Sequence, residues 1–233
     1  MSHVFDRCIW HALSRRQAAF SVGTETARRY DTDFAPFAAT VDNSSESLAA
    51  LHGIVPPGGA VVLFTPEELV FPEHLVVLRR ALVTQMVLAP GAIAAAPLPA
   101  TARVLGESDA AAVKALVALT QPGPFAARTM ELGRYLGVFA GDTLVALTGE
   151  RMCLDGYVEI SAVCTHPGHR GKGYAASLIA ATADAAFARG DMPFLHAFAT
   201  NTSALALYRK LGFSIRATMQ LAAAGRVEDH ARR

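Results

Sequence analysis

The chain has 233 residues, 52% of them hydrophobic and 18% charged, with a formal net charge of +1. That composition excludes a disordered chain and leaves enough apolar mass for a sizeable core. A balance so near neutral supplies no general basic field and so argues against nucleic acid as a partner. Cys8, Cys153 and Cys164 are an odd, scattered set, which suits a reducing compartment better than a disulfide framework. Asp6, Arg7, Arg15 and Arg16 interrupt any N-terminal secretory signal. The uncharged run 81–102 holds Pro90, Gly91, Pro97 and Pro99 among alanines and makes a poor membrane span. The expectation is a cytoplasmic protein with no membrane attachment.

In chain order, 60–64 and 85–88 read as short buried strands, 67–69 and 74–82 as helical, and Pro56-Pro57-Gly58-Gly59 as a turn. No chemistry is legible there, and this part reads as a structural half that covers or extends the rest. From Pro90 to Pro99, Pro and Gly break both kinds of regular structure and alanines add little packing. The chain is therefore divided into an N-terminal α/β region at 1–90, an Ala/Pro linker at 91–100 and a C-terminal domain at 101–233.

The C-terminal domain opens with a strand at 102–105. Ser108 or Asp109 caps a helix whose apolar Val113, Leu116, Val117 and Leu119 fall at helical spacing. Gln121-Pro122-Gly123-Pro124 ends it, and 125–132 reads as a second short helix. Strands at 135–140 and 143–150 join through Gly141-Asp142, a hairpin-like turn. A central strand at 157–165 follows, then a glycine-rich turn and a helix at 175–188 stopped by Gly190. A strand at 194–198, a helix at 202–211 closed by Gly212, and short strands at 213–215 and 219–221 complete the order βααβββαβαββ. This is an α/β fold, a mixed central sheet flanked by helices.

Between the central strand and its helix stands Arg170-Gly171-Lys172-Gly173-Tyr174-Ala175. A glycine-rich turn at a helix N-terminus aims several backbone amides at one point, where orphan donors and the helix dipole both favour negative charge. Glycine lets the backbone approach closely, and Arg170 and Lys172 add positive charge. The segment predicts a cofactor that carries a pyrophosphate.

The element order and two motifs resemble the GNAT superfamily of acyl-CoA-dependent N-acyltransferases, over about residues 101–221. In that family the loop reads Arg or Gln, two residues, Gly, one residue, then Gly or Ala, and 170–175 fits every position. Downstream, Asn201 and Tyr208-Arg209-Lys210-Leu211-Gly212-Phe213 are similar to the family's asparagine and its Tyr-x-x-Leu-Gly-Phe ending. The resemblance implies acetyl-CoA as co-substrate, a small-molecule or peptide amine as acceptor, and direct acetyl transfer with no covalent enzyme intermediate. It implies that amides of Gly171, Lys172, Gly173, Tyr174, Ala175 and Ala176 bind the pyrophosphate. Val163, Cys164 and Thr165 would pair through their backbone with the pantetheine arm, much as an added strand pairs with an edge. The central strand would splay from the next one, leaving amides to polarise the thioester carbonyl. Asn201 would contact the arm, and Tyr208 would protonate the departing thiolate.

For the proton acceptor the reading offers Glu159 first and His196 second. Alternation along the strand would put Glu159, Ser161 and Val163 on one face. His196, on the adjacent strand, has the chemistry to relay a proton near neutral pH. The bland readings are an ion pair for Glu159 and packing for Tyr208. An acyl-CoA-sensing or partner-binding protein without turnover is the alternative function.

Two rivals fall away. Gly171-x-Gly173-x-x-Ala176 also satisfies a dinucleotide pattern, but Asp191 precedes the next strand instead of ending it, and too little chain follows for a doubly wound sheet. Cys164, His166 and His169 lack the fourth ligand of a closed zinc site, so no metal is expected. Cys164 as a nucleophile is set aside because a buried strand cysteine is usually inert.

Overall fold

The structure, a computed structural model, describes residues 3–91, 93 and 97–230. Ala92 and 94–96 of the expected linker lie outside the described residues. The elements in order are α1 (Cys8–Ser14), β1 (Ser21–Gly23), β2 (Ala27–Tyr30), β3 (Ala38–Thr40), α2 (Ser45–Ala50), β4 (Ala60–Thr65), β5 (Leu75–Leu88) and β6 (Ala102–Val104). They continue with α3 (Ala110–Thr120), β7 (Tyr135–Ala140), β8 (Thr143–Leu154), β9 (Tyr157–Thr165), α4 (Tyr174–Ala188), β10 (Met192–Phe198), α5 (Thr202–Lys210), β11 (Phe213–Arg226) and α6 (Val227–His230). No described helix is long and apolar enough to cross a membrane.

A small sheet orders β1-β2-β3, and an eight-stranded sheet orders β4-β11-β5-β10-β9-β8-β7-β6. The large sheet is antiparallel except where β9 and β10 run parallel. Its two faces are covered by different helices. Neighbouring residues in β8 point opposite ways, so Leu147 packs under α3 with Val113 and Leu116 while Ala146 packs under α4 with Leu178. Farther along the sheet, α1 covers Met152, Leu154 and Phe194 through Ile9 and Leu13.

Two expectations for local structure fail for one reason. Residues 74–82 are not helical but form the first half of β5, which pairs with β11 from Leu75↔Arg226 to Leu88↔Phe213 and with β10 from Val83↔Phe198 to Val87↔Phe194. An apolar run such as Leu75-Val76-Val77-Leu78 has no period of its own, so the ladders on either side decide its form. Likewise 213–226 is one strand, not two short ones, and Arg216 is the extra residue of a bulge between Ile215↔Met86 and Ala217↔Gln85. Of the expected helix 125–132 only a tight turn at Thr129–Leu132 forms, with the Thr129 hydroxyl bonded to the Phe34 carbonyl at 2.6 Å. Strands β4 and β5, from 1–90, thus lie in one sheet with the strands of 101–233.

The feature that positions the site is the end of pairing between β9 and β10. Their ladder runs from Tyr157↔Met192 to Glu159↔Phe194 and stops. Beyond it the strands part, leaving the β10-facing edge of β9 unpaired. Within that stretch Ala162 has φ +53°, and β9 carries one extra residue against β8 between Leu147↔Cys164 and Gly149↔Ser161.

Candidate active site

At the start of α4 the sequence builds an anion cradle. Gly171 and Gly173 sit at φ +78° and +79°, left-handed conformations that favour glycine. Gly173 is the N-cap and no side chain caps the helix, so its leading amides remain available to a ligand. A Cβ built on either glycine meets nothing within 4 Å, so the turn is open on that side. Arg170 and Lys172 flank it from exposed positions. The residues present fit a pyrophosphate.

The bulge at Ala162 reverses the alternation of β9. Ile160 and Val163 pack into one cluster with Ile179, Leu195 and Tyr208, whereas Ala162 and Cys164 pack against Leu147 and Tyr135 on the opposite face. Val163 therefore does not share a face with Glu159, as simple alternation predicted. Burial also pushes the Cys164 thiol above its ordinary value, which leaves it a poor nucleophile.

Two residues of α5 complete this side. Asn201 is the N-cap, its Oδ1 accepting from the Ala204 amide at 3.2 Å and the Ser203 hydroxyl at 3.1 Å. Tyr208 lies one turn from the helix end with its ring centroid 6.0 Å from that of Phe213. Burial pushes its hydroxyl up to about 12, so it stays protonated at neutral pH and can donate.

One cavity of about 1480 Å³ joins these parts. The loop 169–176, the β9 stretch 160–165, Asn201, Tyr208 and His196 all line it, with the loop 121–125 across from them. Strands of the N-terminal region close the other end through Val62, Phe64, Arg79 and Val83. Among the described residues no group of three metal-ligating side chains is present.

Glu159 does not line the cavity. It is fully buried behind His196, with Arg151 donating to both its oxygens at 2.8 and 2.7 Å and His196 Nδ1 donating to Oε1 at 2.8 Å. Burial alone would raise its carboxyl, but the Arg151 guanidinium and the His196 hydrogen bond outweigh that and hold it below the ordinary carboxylate value. The far nitrogen of His196, Nε2, accepts from Gln85 Nε2 at 2.9 Å. Gln85 is itself fixed, donating to the Phe5 carbonyl at 3.0 Å and accepting from Arg216 at 3.0 Å. These bonds define a neutral imidazole with its proton on Nδ1. The two sequence candidates are thus a single hydrogen-bonded unit, with only His196 facing the cavity.

Sequence reasoning missed Arg151, Gln85 and Arg79. Arg151 left a signal, the second of an adjacent charged pair with Glu150 inside the mostly apolar run 144–154, and so did Gln85, which follows Thr84 in the otherwise apolar run 81–88. Arg79 left none.

The family model described as FR47-like protein matches residues 135–221. No curated protein matches the chain in sequence. Among solved structures, a GNAT-family acetyltransferase from Novosphingobium aromaticivorans is 35% identical with a TM-score of 0.89, over 97% of this chain and 99% of that one. A GCN5-related N-acetyltransferase from Kribbella flavida (17% identity, TM-score 0.61, 87% and 88% covered) shares the fold. So does a GNAT-family acetyltransferase from Colwellia psychrerythraea (11%, 0.53, 96% and 97%). With a relative matched at that identity along nearly its whole length, and a cavity opening where its central strands part, the chain belongs to the GNAT family of acetyltransferases.

Proposed function

We propose that the protein is an N-acetyltransferase that moves the acetyl group of acetyl-CoA onto a primary amine by direct attack. The observation that carries this reading is the convergence of the glycine turn, the unpaired edge of β9 and Tyr208 on one cavity. When bound, acetyl-CoA supplies a thioester carbonyl for the amine to attack. The amides of 171–176 hold the pyrophosphate, with Arg170 and Lys172 adding charge. Backbone groups of Val163, Cys164 and Thr165 align the pantetheine arm and polarise the carbonyl. Asn201 meets the arm from the start of α5.

The N–C bond forms as the C–S bond breaks. The leaving sulfur takes a proton from the Tyr208 hydroxyl, and the amine gives one up. His196 receives that proton at Nε2, giving up its hydrogen bond from Gln85, while Glu159 holds the opposite nitrogen and offsets the charge that develops. The burial of Glu159 and the commitment of both its oxygens support this division, with His196 as proton acceptor and Glu159 as its positioning residue.

Thermal unfolding with acetyl-CoA, followed by a thiol-release assay over a panel of amines, tests the reading. A ligand at about 100 times its dissociation constant stabilises by about 2.7 kcal/mol, or roughly 5–10 °C for a chain of this length. Stabilisation together with thiol release is expected. Stabilisation without release from any amine would favour an acyl-CoA sensor, and no stabilisation would remove the cofactor from the site.

A further inference from the structure

The charged lining of the cavity is of one sign. Arg79, Arg151, Arg170, Lys172 and Lys210 all contribute to it, and no aspartate or glutamate does. Most of these cations are accounted for. Arg170 and Lys172 flank the phosphate turn, Lys210 ends α5, and Arg151 is neutralised by Glu159 behind the wall.

Arg79 is not accounted for. It projects from β5 on the face that carries Val83, opposite Ala223 of β11, at the end of the cavity away from the phosphate turn. Its guanidinium lies 5.2 Å from the Phe198 ring centroid. The next residue, Arg80, pairs with Glu68 at 3.1 Å, whereas Arg79 has no carboxylate partner among the described residues. Around it the lining is apolar, from Val62, Phe64, Val83, Phe198 and Leu221. A guanidinium resting on an aromatic face keeps its N–H edge free for a planar, bidentate anion such as a carboxylate. A cavity with that cation and no acid disfavours a ligand of net positive charge, and it offers the additional ammonium groups of polyamines and lysine-rich peptides nothing to pair with.

We infer that the acceptor is a free amino acid with an apolar side chain, its carboxylate on Arg79 and its side chain among the aromatic and aliphatic residues beside it. This rests on the acetyltransferase reading above. It is tested without turnover by titrating N-acetylphenylalanine and N-acetylphenylalaninamide into the protein in the presence of CoA. The acid is expected to bind about tenfold more tightly, and phenylalanine to be acetylated in preference to phenylalaninamide or phenethylamine. Arg79→Met should bring the acid-to-amide ratio close to one, and Arg79→Lys should keep part of it. Equal binding of acid and amide by the unsubstituted protein overturns the inference, and that comparison decides even if a variant fails to fold. Acetyl-CoA stabilisation measured in parallel separates the two levels. A protein stabilised by acetyl-CoA that prefers the amide loses this inference alone, and one not stabilised loses the acetyltransferase reading and this inference with it.

Discussion

The two ends of the cavity are built in opposite ways. The proposed donor end comes from nearly contiguous chain, the bulged strand 160–165 and the turn 169–176 that follows it, joined by Asn201 and Tyr208. Its chemistry is mostly backbone: open amides at a helix start and an unpaired strand edge. The proposed acceptor end is assembled from β4, β5, β10 and β11, brought together by ladders that join residues far apart in sequence, and its chemistry is all side chain. A donor that is always the same can be held by backbone geometry, which needs glycines at fixed spacing. An acceptor must be chosen by side chains, and any strand that reaches the sheet can deliver them.

Glu159 lies behind His196 and pairs with Arg151, and its loss should do the most damage. Glu159→Gln strips the counter-charge from buried Arg151 and should cost about 3–5 kcal/mol of stability, or roughly 6–20 °C in Tm. The carboxyl is held below its ordinary 4.5 in the folded state, towards about 2. Its contribution is therefore complete above about 4.5 and lost as pH falls through the folded value. Denaturant unfolding at several pH values should show the unsubstituted protein losing its margin over Glu159→Gln below pH 4.5. A margin constant from pH 7 to pH 3 would mean that the carboxylate is not paired as described.

The donor end should break in two separable steps. Tyr208→Phe removes the proposed proton donor to sulfur and should lower kcat by about a hundredfold or more while leaving acetyl-CoA affinity nearly intact. Because the hydroxyl titrates only near 12, Tyr208 should impose no alkaline limb on the rate between pH 7 and 10. Unchanged turnover in Tyr208→Phe would take it out of the mechanism. Gly173→Val does the reverse. It forces a branched side chain to φ +79° beside the proposed phosphate site, at a cost of about 1–3 kcal/mol from the backbone alone. Acetyl-CoA affinity, measured calorimetrically, should fall at least about tenfold. Retained affinity would place the phosphate elsewhere.

What the sequence made legible follows the same division. The places of Gly171, Gly173, Asn201 and Tyr208 could be read because each is set by local geometry, a positive φ, a helix cap or one helical turn. Glu159 and His196 were both visible but looked like competitors, since nothing in the sequence shows that they lie 2.8 Å apart on parallel strands. Simple alternation misplaces Val163 because a bulge at Ala162, an ordinary residue at φ +53°, leaves no mark in composition. The first half of β5 reads as helix in the sequence because its partners decide its form, and Arg79 leaves no signal for the same reason. A residue positioned by distant ladders is invisible until the ladders are known.

Asn201 is where the two ways of building meet, since its side chain both caps α5 and lines the cavity. Asn201→Ala removes the cap and should cost about 1 kcal/mol of stability, whatever the residue does for the cofactor. Asn201→Asp keeps an oxygen for the Ala204 amide and puts a favourable negative charge at the helix start, so stability should hold or rise slightly. It also replaces the amide N–H donors with a carboxylate in a cavity that otherwise has none. If Asn201 donates to the pantetheine arm, Asn201→Asp should lose several-fold in acetyl-CoA affinity at undiminished Tm. Were only Asn201→Ala to weaken binding, in step with its lower Tm, the asparagine would be a cap that lies beside the cofactor, and the arm would be held by the β9 backbone alone.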